Sequence, residues 1–319
     1  MAEGVLNLNE RAMRVADELA DRAGELGCAV QNIGGARIID AGVKQRGSIN
    51  AGLLVARICL ADLGSATVTP GRVADTPCPV VSVSVSHPVA ACMASQYAGW
   101  QVSVGKYFAM GSGPMRAAWG KEKLYDDIGF REKPGCAVGV LEGKLPDEPT
   151  IAHIAQQCGV AAERLTLVAA RTASLVGGAQ VVARSVETAL HKLHELKFDL
   201  TRIIAGFGEA PLPPVAKDDL AAIGRTNDAV LYGGACTLYV TGDDESLADA
   251  GAKLPSSVSK DYGEPFAAIF QRYNHDFYKI DPMLFSPALV NLQNVQTGRS
   301  HVVGRLNLEV LAVSFGWRQ

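Results

Sequence analysis

Segments typical of β-strands alternate with segments typical of α-helices along this chain, and this alternation most limits the folds that it can adopt. Near the start, apolar residues recur at helical spacing from Ala12 to Leu26, between Asn7 and Gly27. Further on, Val80–Val85 alternates valine with serine at period two, as in a strand with one polar face. Later β-rich segments joined by short turns indicate mixed sheets. The sequence therefore predicts a mixed α/β or α+β fold.

The length of the chain predicts two domains. At 319 residues it exceeds the size at which a single hydrophobic core usually stops growing. The charged, proline-bearing run EGKLPDEP at 142–149 suits a linker or a surface loop. We therefore predict a first α/β domain over residues 1–145, a second over 146–319, and a substrate cleft between them.

Local patterns predict further elements. Predicted strands cover Cys28–Ile33, Trp100–Val104, Leu165–Ala170 and Ile203-Ile204, and predicted helices cover Ser48–Leu63 and begin at Thr150. The run GFGEAPLPP at 206–214 is expected to form a stiff loop after a strand. The segments Asp228–Thr241 and Leu289–Val313 are predicted as strands joined by turns.

Composition and charge argue against several classes of protein. The chain has 30 basic and 33 acidic residues and no long block of either sign, so nucleic acid is not an expected partner. No apolar run approaches the roughly 20 residues needed to cross a bilayer. Seven cysteines are scattered without a Cys-x-x-Cys pair, and no signal-peptide segment opens the chain. These features favour a reducing cytoplasm.

Arg184 and Glu187 lie three residues apart on a predicted helix of the second domain, after a predicted glycine-rich turn at Gly177-Gly178. Side chains at this spacing are neighbours, about 5–6 Å apart at Cβ. A carboxylate beside a guanidinium can accept a proton from water while the arginine fixes its position. Such pairs are more often surface contacts that contribute little to stability. The spacing alone therefore does not establish catalysis.

A metal site is the main alternative on the same helix. His191 and His194 follow Glu187 by four and seven residues, so the three side chains can share one helical face. Their order differs from the H-E-x-x-H of familiar zinc hydrolases. Histidines near a helix C-terminus more often interact with the last carbonyl groups or with solvent. The corresponding activity would be that of a metal-assisted amidohydrolase.

Six runs of the sequence carry a resemblance to a known family. They are LNERAMRVADELA at 8–20, VQNIGGARIIDAG at 30–42, SVSHPVAACMASQYAGW at 84–100, GSGPMRA at 111–117, RTASLVGGAQVVARSVETALHKL at 171–193 and GFGEAPLPP at 206–214. Over nearly the whole chain the sequence resembles the methenyltetrahydromethanopterin cyclohydrolases, whose Arg-x-x-Glu pair falls in the fifth run. The resemblance implies hydrolysis of the methenyl bridge of N5,N10-methenyltetrahydromethanopterin, or its dephospho form, to N5-formyltetrahydromethanopterin in one-carbon metabolism.

The resemblance also implies roles for individual residues. Glu187 is expected to act as general base and then general acid, and Arg184 to orient it. The expected substrate contacts are Arg171, Ser174, Gln180, Gly111, Ser112, Gly113, Arg116 and Phe207. In the GSG loop, glycine permits close backbone approach and amide groups can bind an anion, although an ordinary glycine turn is the alternative. A homotrimer is implied, with no metal and no cofactor besides the pterin, which is the substrate.

Four questions stay open at the level of sequence. A nearby arginine lowers the pKa of a carboxyl group and burial raises it, and the sequence does not decide between these effects for Glu187. A noncatalytic pterin-binding protein with the same cleft is a further alternative, which a turnover assay separates from the enzyme. The form of the pterin tail and the metabolic direction are also left open.

Overall fold

The computed structural model describes residues 6–318, which form two compact units. The first unit comprises the chain up to Gly64 together with Ala90–Gly177, and the second comprises Ser65–Val89 together with the chain from Gly178 onward. Each unit is therefore built from two separate stretches of sequence.

Helices and strands alternate through both units, which confirms the predicted mixed fold class. The α-helices are α1 (Leu8–Asp21), α2 (Ile49–Cys59), α3 (Met115–Trp119), α4 (Leu124–Ile128), α5 (Glu148–Cys158), α6 (Leu175–Val182), α7 (Ser185–Glu195), α8 (Asp219–Gly233), α9 (Asp244–Ala252), α10 (Phe266–Arg272) and α11 (Leu308–Ser314). A π-helix spans Val89–Gln96, and 3₁₀-helices span Ala162–Arg164, Leu200–Arg202, Ser256–Val258, Phe277–Lys279 and Pro282–Leu284. Within residues 6–318, no helix is both long enough and apolar enough to cross a membrane.

The strands form two six-stranded sheets and one short ribbon. They are β1 (Ala29–Ile33), β2 (Ala36–Gly42), β3 (Gly64–Thr69), β4 (Arg72–Val73), β5 (Thr76–Pro77), β6 (Val80–Val85), β7 (Trp100–Val104), β8 (Tyr107–Ser112), β9 (Ala137–Gly143), β10 (Leu165–Ala170), β11 (Ile203–Pro211), β12 (Ala235–Val240), β13 (Leu289–Asn294) and β14 (Ser300–Gly304).

The sheet of the first unit has the order β1-β2-β10-β9-β8-β7. Its centre is parallel, because β10 runs in the same direction as β2 and β9, and its outer pairs are antiparallel. Successive residues of a strand point to opposite faces, so Ile38 and Ile39 enter different cores. One core packs α1 and α2 on the sheet, and the other packs α5 on the opposite face. Helices therefore cover both faces of this sheet.

The sheet of the second unit has the order β14-β13-β12-β11-β6-β3. β12 and β13 are parallel, whereas β11 runs antiparallel to both β12 and β6. The predicted alternation in β6 is confirmed, because Val81, Val83 and Val85 are buried while Ser84 is exposed. Helices α7 and α8 contact β11.

Several strand predictions are confirmed with the same bounds, namely Val80–Val85, Trp100–Val104 and Leu165–Ala170. The loop predicted at 206–214 is wrong in its first part, because β11 continues through Pro211. Locally, glycine and proline signal a loop. Here the glycines lie on the buried face of a central strand and permit close packing of a helix.

Two predicted β-rich segments contain helix. The first part of Asp228–Thr241 is the end of α8, which is fixed upstream by Asp218, whose carboxylate accepts a hydrogen bond from the Ala221 N–H at 2.8 Å. The end of Leu289–Val313 belongs to α11, which Asn307 caps in the same way. The capping residues mark where both helices begin, whereas the strand predictions for these segments considered only their β-forming residues.

The unit boundaries differ from the predicted boundary between residues 145 and 146. β10 belongs to the first unit because it pairs on both sides with strands of that unit. β6 belongs to the second unit because it pairs with β11. The run at 142–149 connects β9 to α5 and ends in a helix cap, since the Asp147 carboxylate accepts from the Thr150 N–H at 3.0 Å.

Asp228 is a buried carboxyl group of α8 that accepts hydrogen bonds from the N–H of Phe266, the first residue of α10. Burial raises the pKa of Asp228 to about 7, although hydrogen bonds oppose the shift. Between about pH 4 and pH 7 the folded chain therefore binds this proton more tightly than the unfolded chain. The contribution of Asp228 to the free energy of unfolding consequently falls as the pH rises through this window.

We expect Asp228→Asn, which keeps an acceptor for Phe266, to flatten this pH dependence. Urea unfolding should show that, from pH 5 to pH 8, the free energy of unfolding falls by about 2–3 kcal/mol more in the wild type than in the variant. Parallel pH profiles for the two proteins would exclude a raised pKa at Asp228.

Candidate active site

Arg184 and Glu187 lie where α6 ends and α7 begins. α6 ends at Val182 and α7 begins at Ser185, so Arg184 occupies the N-cap position and Glu187 is the third residue of α7. The single helix predicted across this segment is therefore wrong. The Arg184 N–H donates to the Val181 C=O at 3.1 Å, a three-residue step that tightens the turn relative to an α-helix.

Glu187 is buried in the first turn of α7, with 5% of its surface exposed. Backbone N–H groups at the start of a helix carry partial positive charge, which favours a carboxylate there. Little water screens a buried carboxylate, so nearby charges act on it strongly. The half-buried Arg184 precedes it by three residues. The junction therefore combines a buried carboxylate with two sources of positive potential.

Gly177-Gly178 lies within α6 and does not form the predicted turn. A Cβ atom at Gly177 would lie 2.1 Å from the carbonyl oxygen of Arg171 and 2.8 Å from the Cα of Thr172. Only glycine permits this approach. Because Gly177 has no side chain, α6 packs closely against the turn that follows β10.

Gln180 contacts Arg184 across the junction. The Nη2 group of Arg184 donates to the Oε1 atom of Gln180 at 2.9 Å. Gln180 lies on α6 and is only 1% exposed. A buried amide held against the guanidinium connects the end of one helix to the cap of the next.

The first turn of α7 packs directly on β11. A Cβ atom at Gly208 would lie 2.4 Å from Ser185 Oγ and 3.0 Å from Val186 Cγ2, and one at Gly206 would lie 2.6 Å from Val186 Cγ1. Ser185 and Val186 are fully buried. A larger residue at either glycine would therefore push against Ser185 or Val186, which lie in the turn that carries Glu187.

Lys192 holds α7 further along its length. Its side chain is fully buried, and its ammonium group donates to the carbonyl oxygens of Pro255 at 3.0 Å and Met283 at 2.5 Å. Burial lowers the pKa of Lys192 to about 8, partly opposed by the negative charge of Asp281. Sequence reasoning missed this anchor because lysine is usually exposed.

Arg171 and Ser174 lie in the turn after β10 in the first unit. The hydroxyl of Ser174 donates to the Arg171 C=O at 2.7 Å and accepts from the Gly177 N–H at 2.9 Å. Ser174 therefore caps α6, and its expected substrate contact stays a prediction. Arg171 is half-buried beside it.

The carboxyl ends of the parallel strands β2, β10 and β9 lie at one edge of the first sheet. At the end of β2, the carboxylate of Asp40 accepts from the N–H groups of Val43 at 2.8 Å and Lys44 at 3.0 Å. At the end of β9, Glu142 accepts from the hydroxyl of Thr172. Ligands of open α/β sheets bind outside such strand ends. Sequence reasoning missed Asp40 and Glu142, whose signal is an acidic residue near a glycine at a strand end.

The segment Gly111–Gly113 comprises the end of a strand and the turn that follows it. Gly111 and Ser112 belong to β8, and Ser112 is 2% exposed. Gly113 has a positive φ of 86°, which glycine adopts readily, and its N–H donates to the Ser95 C=O at 2.9 Å. The geometry supports a structural turn.

Arg116 is fully buried, and protein acceptors surround its guanidinium. Nε and Nη2 donate to the two carboxylate oxygens of Glu122 at 2.8 and 2.5 Å. Nη1 donates to the carbonyl oxygens of Met93 and Ser95 at 3.1 and 3.2 Å, at the end of the π-helix. The bidentate ion pair and the carbonyl groups hold the guanidinium in place, and the expected substrate contact of Arg116 stays a prediction.

Phe207 faces away from α7. Successive residues of β11 point to opposite faces, so Phe207 lies on the other side of the strand from the two glycines. Its register partners are Ser84 and Thr237, and it is 43% exposed. The structure therefore places Phe207 on the opposite sheet face from the Arg184–Glu187 turn.

The geometry does not support the metal alternative. Among the side chains of residues 6–318, no group of three or more His, Cys, Asp or Glu is arranged to hold a metal ion. His191 and His194 are half-buried on α7, but with Glu187 they do not form such a group.

A buried carboxylate beside an arginine, held on a mixed α/β scaffold, is an arrangement suited to an enzyme that transfers protons. Residues 7–315 match the model of a protein family described as Cyclohydrolase (MCH). This chain belongs to that family, and the resemblance found in the sequence is confirmed.

Curated relatives carry a more specific name. The chain is 49% identical over 290 residues to a protein from Rhodopirellula baltica, covering 89% of this chain and 87% of that protein. It is 44% identical over 313 residues to one from Methylobacillus flagellatus, covering 98% and 96%. It is 39% identical over 317 residues to one from Methanococcoides burtonii, covering 98% and 99%. Each of the three is named methenyltetrahydromethanopterin cyclohydrolase.

Proposed function

We propose that this chain is a cytoplasmic enzyme of one-carbon metabolism that hydrolyses methenyltetrahydromethanopterin, or its dephospho form, to the N5-formyl compound. The observation that carries the proposal is the family match over residues 7–315, with relatives named for this activity at up to 49% identity. The buried Glu187 supports it because the reaction needs a group that accepts and returns a proton. Neither the metal-assisted amidohydrolase nor the noncatalytic pterin-binding protein is favoured by these observations.

The chemistry proceeds in two steps. The substrate carries a positive charge spread over N5, the bridging carbon and N10. A water oxygen bonds to the bridging carbon, and Glu187 accepts the proton that this water loses, which gives a neutral carbinol. The bond between that carbon and N10 then breaks, N10 takes the proton from Glu187, and the carbinol hydroxyl loses its proton to form the formyl group. One water is consumed and one proton is released overall.

Electrostatics favour Glu187 in both steps. Its negative charge stabilises the cationic substrate, and the start of α7 stabilises the carboxylate itself. Arg184 holds the carboxylate in position, so that its oxygen faces the attacking water. The protein therefore supplies orientation and proton transfer, while the substrate supplies an electrophilic carbon.

We propose Arg171 as a substrate contact, because it is half-buried at the carboxyl edge of the parallel strands. A guanidinium can donate to the carbonyl and nitrogen acceptors of a pterin. Contacts from Ser174, Gly111, Ser112, Gly113 and Phe207 stay predictions, as does a substrate cleft between the two domains.

Product analysis tests the proposed function. Incubation of purified protein with the methenyl substrate should give a product heavier by one water, less the released proton, with the formyl group on N5. One proton should be released for each substrate consumed in weak buffer. Recovery of unchanged substrate together with tight binding would favour the noncatalytic alternative.

We propose that no metal or further cofactor takes part. Water attack on an already cationic carbon does not require a Lewis acid. Turnover should therefore survive exhaustive treatment with a chelator, and His191→Ala should retain most activity. Activity that is lost with the chelator and restored by zinc would reject this mechanism and support the metal alternative.

We propose that the enzyme assembles as a homotrimer, as the resemblance implies. Closed cyclic symmetry is the rule for soluble homo-oligomers. Light scattering at micromolar concentration should give the mass of three chains of 33.6 kDa each. A stable monomer across this concentration range would overturn the proposal without affecting the proposed chemistry.

A further inference from the structure

We propose that Gln180 is a positioning residue that orients Arg184, and not the substrate contact expected from the sequence. The inference rests on the proposed function, because it assigns Gln180 to the same hydrolytic site. It makes the contact with Arg184 a route by which Gln180 influences the rate. The evidence is the contact itself, the burial of the amide and the break between the two helices.

The contact is well formed and enclosed. Arg184 Nη2 donates to Gln180 Oε1 at 2.9 Å, within the normal range for a hydrogen bond to a charged donor. Gln180 is 1% exposed. An amide oxygen in this position costs free energy unless a donor satisfies it, so the contact is maintained in the folded chain.

The helix break gives this contact its importance. Arg184 lies outside both helices, at the N-cap of α7, where its backbone is not held by a continuous α-helical ladder. An arginine side chain loses conformational entropy when it is fixed in one position. Gln180 restricts the guanidinium before the substrate binds, so the Arg184 side chain loses less conformational entropy during the reaction.

The chemical type of the acceptor also fits a positioning role. A glutamine oxygen carries no net charge, so it directs the guanidinium without neutralising it. Gln180 therefore does not reduce the positive charge that Arg184 presents to Glu187 and to the reacting groups. A carboxylate in place of Gln180 would form an ion pair with Arg184 and compete with Glu187 for it.

A double-mutant cycle tests the proposal. The variants are Gln180→Met, which keeps the side-chain length but removes the acceptor, Arg184→Ala, and the combination. Gln156→Met is a matched control, since Gln156 is exposed on α5. We expect Gln180→Met to lower kcat about 10–100-fold with KM changed less than about threefold, because the guanidinium is misplaced but substrate contacts remain. In the Arg184→Ala background, Gln180→Met should change kcat less than about twofold.

The other outcomes overturn the inference. Full loss in both backgrounds, with KM raised, would make Gln180 a direct substrate contact. An equal loss of kcat in both backgrounds, together with a lower melting temperature, would give Gln180 only a structural role. If Gln180→Met does not fold, Gln180→Asn, whose acceptor is withdrawn by one methylene, replaces it in the same comparison. An inactive wild type would reject the proposed function instead, which separates the two failures.

Discussion

Glu187→Gln is expected to lower the turnover of methenyltetrahydromethanopterin by about 10²–10⁴-fold, the usual contribution of general acid–base catalysis. The amide keeps the size and hydrogen-bonding shape of the side chain but accepts no proton. Substrate affinity should weaken much less. Steady-state rates and substrate binding, measured on the same preparations, check both parts.

A control on the same helix makes this test specific. Glu195→Gln removes an equal charge from the exposed end of α7 and should leave turnover nearly unchanged. Near-normal turnover in Glu187→Gln would exclude Glu187 as the proton-transfer residue. A similar loss in Glu195→Gln would point to the net charge of the helix instead.

Arg184 and Glu187 are expected to act as one unit. Arg184→Ala removes the orienting charge and should also slow turnover. The double variant should be less impaired than the product of the two single effects, because loss of either residue disables the same step. Multiplicative losses would show that Arg184 acts separately, by contacting the pterin.

Gly208→Ala is expected to reduce turnover about 10²-fold although Gly208 lies outside the proposed reacting groups. The new Cβ would lie 2.4 Å from Ser185 Oγ and 3.0 Å from Val186 Cγ2, so the first turn of α7 must move. A displacement of about 1 Å of positioned catalytic groups is sufficient for a rate loss of this size. Overpacking should also lower the free energy of unfolding by about 1–3 kcal/mol.

Two further variants separate displacement from loss of folding. Gly24→Ala is a matched control, since a Cβ there meets no atom within 4 Å, and it should retain turnover. Ser185→Ala removes the nearer of the two clashing atoms and should restore part of the activity when it is combined with Gly208→Ala. Full activity in Gly208→Ala would show that the position of the α7 turn on β11 does not control the rate.

Local patterns predicted the elements whose signals lie within a few residues. Val80–Val85 forms a strand because its alternating valines fill one buried face. The same reasoning failed at Gly206–Pro211, where glycine and proline resemble a loop. The reason for glycine there is the packing of α7 on the strand, which depends on residues that precede β11 in the sequence.

Long-range burial explains what the sequence could not predict of the candidate site. Lysine is typical of solvent-exposed helix positions, but the Lys192 side chain is buried and donates to carbonyl groups 63 and 91 residues away. Arg116 was expected to contact the substrate, and the sequence did not predict that it donates to Glu122 and to two carbonyl groups. By contrast, the resemblance points to the Arg-x-x-Glu pair, which the structure places at the start of α7, and its catalytic role stays a prediction.

This chain is expected to hydrolyse the methenyl bridge without a partner protein or an added reagent. The most direct measurement is the absorbance of the methenyl chromophore after purified protein is added to the substrate. We predict a loss of this absorbance at a rate proportional to enzyme concentration, far above that of buffer alone. If the absorbance falls no faster than in buffer alone although the substrate binds, this chain does not hydrolyse the methenyl bridge.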